Sequence, residues 1–109
     1  MNWIPLTTEQ QLTEIREASA AKPVVIFKHS TRCSISAVAK SRLERGAAPQ
    51  EISFYYLDLI RFRDISNRIA ADFDIPHESP QVLLIRNGEC IYDESHSGIT
   101  MDDLVNKSN

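Results

Sequence analysis

Apolar residues recur at helical spacing in four segments of the chain, and this periodicity predicts four helices. The first helix is expected over residues 8–20, with Thr7 or Thr8 as its N-cap. The second helix is expected to begin near Cys33 and to stop at Gly46. The residues at helical spacing are Leu12 and Ile15 in the first segment, Ile35, Val38, Ala39, Arg42 and Leu43 in the second, Phe62, Ile65, Ile69 and Phe73 in the third, and Met101, Leu104 and Val105, after Thr100 as N-cap, in the fourth.

Apolar runs between these segments predict four strands. The run from Val24 to Phe27 is β-branched and aromatic throughout, which is typical of a central strand covered on both faces. The run from Ile52 to Ile60 follows a crossover helix and is expected to lie parallel to the first strand. The runs 82–85 and 90–92 flank Asn87-Gly88, the strongest short-range signal for a hairpin. The predicted order is α-β-α-β-α-β-β-α, an α/β fold.

Length and composition favour one globular domain over residues 1–109. Apolar residues make up 42% and charged residues 25% of the chain, and no apolar stretch approaches the roughly 20 residues of a membrane span. The start has no basic segment followed by an apolar one, so we expect no secretory signal and a cytoplasmic protein. The net charge is −3 and the basic residues are scattered, which argues against nucleic acid as a partner.

Cys33 is the candidate for chemistry, because it lies between the first core strand and the second helix. Unpaired N–H groups and the partial positive charge of a helix N-terminus favour a thiolate over a thiol, and Arg32 adds to this effect. Ser36 stands where a two-cysteine redox motif would carry its second sulfur. The sequence therefore predicts a redox protein that works with one thiol.

The order of elements, with a cysteine opening the second helix and a Ser-Pro pair before the hairpin, is similar to the thioredoxin fold. More specifically, the chain resembles the monothiol bacilliredoxins, which handle disulfides with the small thiol bacillithiol. The resemblance runs nearly end to end and departs at Ser34, where many relatives carry proline. It is carried by Phe27-Lys28-His29-Ser30-Thr31-Arg32-Cys33-Ser34-Ile35-Ser36, Tyr56-Leu57-Asp58-Leu59-Ile60, Ile65-Ser66-Asn67, His77-Glu78-Ser79-Pro80-Gln81 and Ser95-His96.

This resemblance implies a mixed four-stranded sheet flanked by helices, and an enzyme of redox homeostasis. The implied activity is removal of bacillithiol from protein mixed disulfides, with Cys33 as the attacking sulfur and bacillithiol as co-substrate. It implies no tightly bound cofactor and no metal, and we expect a monomer. Ser79-Pro80 resembles the pair that carries a cis peptide beside the thiol in this fold, which leaves the preceding backbone free to pair with a substrate. A trans proline that starts a strand is the alternative.

The candidate substrate-binding residues are Thr31, Arg32, Ser36, Ser79 and Pro80. Arg32 is expected to contact a carboxylate of the small thiol. An alternative role for Thr31, as an N-cap of the following helix, is favoured over contact with substrate. Ser36 either hydrogen-bonds the Cys33 sulfur or satisfies backbone groups in the first helical turn, and the sequence leaves both open.

Cys90 is expected to be a small apolar filler rather than a second reacting thiol. A two-residue turn pairs Ile85 with Cys90 at the turn end of the hairpin, roughly 16 Å from Pro80 by strand rise. A disulfide needs Cα atoms within about 7 Å, so Cys90 is too distant to reach a thiol beside Pro80. His29 and His77 match no familiar zinc spacing with Cys33, so no metal site is expected.

Other functions remain open on the sequence alone. The partner thiol could instead be glutathione or coenzyme A. Some one-cysteine proteins of this fold carry an iron–sulfur cluster between two subunits, with a small thiol as co-ligand. A third alternative is a non-catalytic module that binds peptides along the Ser79-Pro80 edge.

Overall fold

The computed structural model describes residues 1–109. Its helices are α1 (Gln10–Ala18), α2 (Ser34–Arg45), α3 (Arg63–Phe73) and α4 (Met101–Ser108), with a 3-10 turn at His96–Gly98. Its strands are β1 (Trp3–Pro5), β2 (Val24–His29), β3 (Ser53–Asp58), β4 (Gln81–Arg86) and β5 (Glu89–Ser95). None of the helices has the length and apolar character needed to cross a membrane.

One mixed sheet of five strands, in the order β1-β3-β2-β4-β5, forms the centre of the molecule. The strands β1, β3 and β2 are parallel, β4 runs antiparallel to β2, and β5 runs antiparallel to β4. All six residues of β2 are buried, as expected of a central strand. The predicted α/β thioredoxin-like class is confirmed, but the predicted count of four strands is wrong. The extra strand β1 has three residues and two of them are exposed, so the sequence shows no alternation of apolar and polar residues there.

Two apolar layers enclose this sheet because alternate residues of each strand point to opposite faces. Val24 and Ile26 face α1 and α3, whereas Val25 and Phe27 face α2 and α4. The first layer contains Leu6, Leu12, Ile15, Leu57, Leu59, Ile65, Ile69, Phe73, Leu83 and Ile85, and the second contains Ala39, Leu43, Ile52, Phe54, Val82, Leu84, Ile99, Met101 and Leu104. The sheet is therefore fixed on both sides, and the loops at its ends are held in place.

The hairpin between β4 and β5 has the predicted turn and register. Asn87 and Gly88 adopt φ angles of 53° and 78°, the left-handed conformation that a two-residue hairpin turn requires. Ile85 lies opposite Cys90, as the sequence predicts. This register places Cys90 at the end of the sheet away from the loop that precedes β4.

The helix starts agree with the sequence in one case and differ in another. The Thr100 side chain accepts a hydrogen bond from the Asp103 N–H at 3.2 Å, so the predicted cap of α4 is confirmed. The N-cap of α1 is Glu9 and not Thr7 or Thr8. The Gln11 side chain reaches back instead and accepts the N–H groups of Thr7 and Thr8 at 2.8 and 3.0 Å. Gln11 thus pairs with backbone groups that precede the helix, whereas neither threonine hydroxyl caps it.

Candidate active site at the start of the second helix

Cys33 is the N-cap residue of α2, with extended backbone angles of −114° and 121°. Its carbonyl accepts the N–H of Ala37 at 3.1 Å, and its N–H donates to the Ser30 carbonyl at 3.2 Å. No side chain caps this helix, so the alternative role of Thr31 as an N-cap is wrong. The half-buried sulfur of Cys33 therefore stands where a capping side chain would accept from the first helical turn.

Ser36 is fully buried, one turn into α2. Its hydroxyl accepts the N–H of Ser30 at 3.0 Å and lies 2.6 Å from Nδ1 of His29. Of the two roles left open by the sequence, the structure shows the bond to backbone. The expectation that Ser36 contacts substrate does not fit this enclosed position, and we correct it to a role in holding the loop before Cys33.

His29 ends β2 beneath this loop, and its ring is buried. Burial lowers the pKa of His29, and the nearby Lys40 ammonium lowers it further. The ring is therefore neutral at pH 7, and its Nδ1 shares a hydrogen bond with the Ser36 hydroxyl, which also accepts the Ser30 N–H. This chain of hydrogen bonds joins the His29 ring, the Ser36 hydroxyl and the backbone N–H of Ser30.

An aromatic row connects His29 to the edge of the sheet. His29 packs on Tyr56 with ring centres 5.5 Å apart, and Trp3 stacks on Phe27 at 5.6 Å. The Trp3 indole N–H donates to the Glu44 carboxylate at 2.8 Å, which ties β1 to α2. This role of Trp3 was not predicted, because a single aromatic residue in a short segment carries no periodic signal.

The Ser79-Pro80 peptide bond is cis, as predicted. Gln81, the next residue, lies opposite Lys28, so the loop containing Pro80 and the loop containing Cys33 leave the same end of neighbouring strands. Gln81 braces the proline loop by donating to the Pro76 carbonyl at 3.1 Å. The Pro80 carbonyl accepts the N–H of His96 at 3.0 Å, which joins this loop to the 3-10 turn.

Lys28 is a buried cation on the opposite face of β2 from Phe27, and the sequence analysis did not single it out. Its side chain is 0% exposed and its amine has no hydrogen-bond partner. Burial lowers the pKa of Lys28 to about 8, with the Glu78 carboxylate opposing this effect. The signal in the sequence was a lone lysine in an otherwise apolar strand.

The remaining candidate contacts lie near Cys33 in the chain or beside Pro80. Thr31 and Arg32 are exposed in the loop before α2, so both are open to an approaching molecule. The backbone of Ser79 takes part in no backbone hydrogen bond within the chain, whereas its hydroxyl is buried without a partner. Contact of these residues with substrate remains a prediction.

Cys90 lies at the other end of the sheet and is not paired with Cys33. It is opposite Ile85, which pairs with Val24 at the start of β2, whereas Cys33 follows the end of β2. The length of β2 alone separates these ends by roughly 16 Å. The Cys90 thiol donates to the Tyr92 carbonyl at 3.3 Å, and burial raises its pKa to about 11.

Comparison with known proteins agrees with this fold. The family profile described as monothiol bacilliredoxin BrxC matches residues 4–104. A known structure described as a candidate oxidoreductase with a thioredoxin fold is 31% identical, with a TM-score of 0.85, over 97% of this chain and 93% of that one. Thioredoxin from Malassezia sympodialis is 18% identical, with a TM-score of 0.77 over 99% and 92% of the two chains, and supports the fold alone.

The family match covers nearly the whole chain and includes Cys33, the cis proline and the hairpin. The 31% identical structure extends the agreement to the arrangement of the strands and helices. Both comparisons support a role as a thiol oxidoreductase. The chain belongs to the monothiol bacilliredoxin family and has its thioredoxin-like fold.

Proposed function

We propose that this protein removes bacillithiol from proteins that carry it as a mixed disulfide, with Cys33 as its single reacting sulfur. The observation that carries the proposal is the isolation of Cys33 at an uncapped helix start. Its sulfur is half-buried, Ser36 is bonded to His29 rather than to sulfur, and Cys90 lies at the far end of β2. A mixed disulfide formed on Cys33 therefore has no internal thiol to resolve it.

The reaction consists of two thiol–disulfide exchanges. The Cys33 thiolate attacks the bacillithiol sulfur, the existing S–S bond breaks, and the protein's cysteine leaves as a thiolate that takes a proton from water. The thiolate of free bacillithiol then attacks the bacillithiol now bound to Cys33 and releases bacillithiol disulfide. Each exchange conserves the number of S–S bonds. Free bacillithiol is the reductant of the overall reaction, because its thiolate displaces the Cys33 thiolate in the second exchange and ends in bacillithiol disulfide.

The surroundings of Cys33 suit repeated attack and release. Cys33 stands at the start of α2, where no side chain caps the helix, and the positive end of a helix dipole favours negative charge at such a position. A stabilised thiolate is also a better leaving group when a second thiol attacks its mixed disulfide. The unpaired backbone of Ser79 offers a place for an extended substrate segment to pair beside the cis proline.

The proposal includes where and with what the protein works. We propose a monomer in the cytoplasm, with bacillithiolated proteins and free small thiol as its partners and no tightly bound cofactor. Its two free cysteines suit a compartment in which thiols are kept reduced.

The test is turnover of a bacillithiolated protein in the presence of free bacillithiol. The wild type and Cys90→Ser should release the protein thiol at similar rates, whereas Cys33→Ser should be inactive. Parallel reactions with glutathione and coenzyme A mixed disulfides should be slower. Faster turnover of another thiol would remove the bacillithiol assignment, and full activity of Cys33→Ser would remove the mechanism. A brown, iron-containing protein after anaerobic purification would favour the cluster-carrier alternative.

A further inference from the structure

A groove of about 300 Å³ runs between α2 and the 3-10 turn that follows β5. It adjoins the proposed reaction centre on two sides. Ile35 in its wall is two residues after Cys33, and His96 in the opposite wall donates its N–H to the Pro80 carbonyl. Its lining consists of Ile35, Val38, Ala39, Arg42, His96 and Ser97.

Two apolar side chains of this groove lie outside the hydrophobic core. Ile35 and Val38 have the helical spacing of a buried stripe, yet they are 54% and 55% exposed. Ala39 and Leu43 on the same helix are buried as the pattern predicts. Exposed apolar residues that line a concave surface beside a reacting group are typical of a ligand site.

The groove also holds a fixed cation. One nitrogen of the Arg42 guanidinium, Nη1, donates to the Ser97 carbonyl at 2.9 Å and to the Ile99 carbonyl at 3.4 Å. This anchoring orients the guanidinium and leaves its other N–H groups without a carboxylate partner. His96 is the other basic residue of the lining, and its Nε2 lies 3.6 Å from the Glu78 carboxylate.

The combination of volume and charge indicates the kind of occupant. A volume of about 300 Å³ lies at the lower end of the range for small-molecule sites. It suits part of a small molecule better than a docked protein. An apolar floor with a fixed guanidinium at one side suits a compact polar group that carries a carboxylate. The thiol end of such a molecule would lie toward Cys33, at the N-terminal end of α2.

We propose that this groove binds the carboxylate-bearing part of the small thiol while its sulfur is joined to Cys33, with Val38 and Ile35 under it and Arg42 against its carboxylate. This inference rests on the proposed function, since it assigns a binding site to the small thiol of that reaction. It identifies Arg42 and Val38 as residues that determine which small thiol Cys33 accepts.

The test changes the charge of the groove at Val38, which makes no hydrogen bond. Val38→Glu and Val38→Lys are compared by the equilibrium constant for mixed-disulfide formation on Cys33, measured by mass spectrometry. Two disulfides are added separately: bacillithiol disulfide, which carries carboxylates, and 2-hydroxyethyl disulfide, which is neutral. Ser41→Glu and Ser41→Lys supply the same charge changes on an exposed position of α2 outside the groove.

With bacillithiol disulfide, the equilibrium constant for adduct formation should be roughly fivefold larger for Val38→Lys than for Val38→Glu at low salt. The reason is that the charge beside the bound carboxylate is reversed between the two variants. The neutral adduct should show no such ratio, since any effect on the Cys33 sulfur is common to both thiols. The Ser41 pair should show a ratio near one with either disulfide. Arg42→Gln, which retains a donor for the Ser97 carbonyl, should weaken the bacillithiol adduct alone.

If the ratio of equilibrium constants between Val38→Lys and Val38→Glu were the same for the charged and the neutral disulfide, this inference would be overturned and the proposed function left intact. A ratio at position 41 as large as that at position 38 would overturn it as well, because the effect would then come from the general field of the helix. Failure of the proposed function has a different signature, namely no turnover of bacillithiolated protein by the wild type. Mixed-disulfide formation on Cys33 can be measured in either case.

Discussion

The Ser36 hydroxyl lies 2.6 Å from Nδ1 of His29 and joins the first turn of α2 to the last residue of β2. The same hydroxyl accepts the N–H of Ser30, so a single oxygen holds both ends of the loop that carries Cys33. In a protein with two redox cysteines this position would supply the resolving sulfur. Here it holds the loop that carries Cys33, the sulfur that we propose to react.

Replacing Ser36 by alanine should destabilise the protein by about 1–3 kcal/mol, because it leaves a buried N–H and a buried ring nitrogen without partners. Urea unfolding followed by fluorescence of Trp3, the only tryptophan, measures the change. Ser34→Ala, at an exposed position of the same turn, is the matched control and should change stability little. Equal stability of the Ser36→Ala variant and the wild type would show that the hydroxyl carries no structural role.

The neutral His29 ring predicts a loss of stability in acid. Its pKa is lowered in the folded protein, so the unfolded chain takes up the proton first as the pH falls below about 6.5. Stability contributed by this group is therefore complete above pH 6.5 and decreases at lower pH. Unfolding free energies of the wild type and His29→Gln between pH 7.5 and 5 measure the effect.

The wild type must be compared with His29→Gln because burial also lowers the pKa of His77, which gives both proteins a further loss of stability in acid. The wild type should lose more stability than His29→Gln over this range. Parallel curves would contradict the assignment of a buried, neutral His29.

Replacing Lys28 by methionine should stabilise the protein, because the change removes a buried amine with no partner. A pKa lowered from 10.5 to about 8 corresponds to a cost of up to about 3 kcal/mol at pH 7. This cost is fully present below pH 8 and disappears as the pH approaches 10.5, where the unfolded chain also loses the proton. The advantage of the variant should therefore shrink with rising pH.

Urea unfolding at pH 7 and pH 9.5 measures this dependence, with Lys22→Met at an exposed position as the control. The control should change stability little at either pH. A Lys28→Met variant that is less stable than the wild type at pH 7 would show that the amine has a stabilising partner.

The two cysteines should differ strongly in their reaction with iodoacetamide. Burial raises the pKa of Cys90 to about 11, so only about one molecule in ten thousand carries its thiolate at pH 7. Cys33 is half-exposed at a helix start and should be alkylated faster by about a hundredfold or more. Peptide mapping after short exposure measures the ratio, and similar labelling of both sites in the folded protein would contradict it.

The sequence predicted those parts of the fold that depend on local signals. The uninterrupted run from Val24 predicted the central strand, and Asn87-Gly88 predicted the register of the hairpin. Thr100 predicted the start of α4, because a capping hydroxyl acts within one turn. Each of these features is set by neighbours in the chain, which a single sequence displays.

Features that depend on distant contacts were missed or left open. β1 is defined by its pairing with β3, about fifty residues away in the chain, where Trp3 lies opposite Phe54. A segment of three residues is too short to show the alternation of a strand. The burial of Ser36 depends on His29 across the loop, so the sequence could not decide between its two roles. Val38 has the spacing of a core residue but faces solvent, because the helix turns that side toward the 3-10 turn.

The most direct test of the central claim is a single exchange, in which the protein is mixed with an equal amount of a bacillithiolated protein and no free thiol. Mass spectrometry of the quenched mixture locates the bacillithiol. The account predicts one bacillithiol on Cys33, no modification of Cys90 and no internal disulfide. Bacillithiol on Cys90, or a Cys33–Cys90 disulfide with the bacillithiol released, would contradict the claim that a single isolated sulfur carries the reaction.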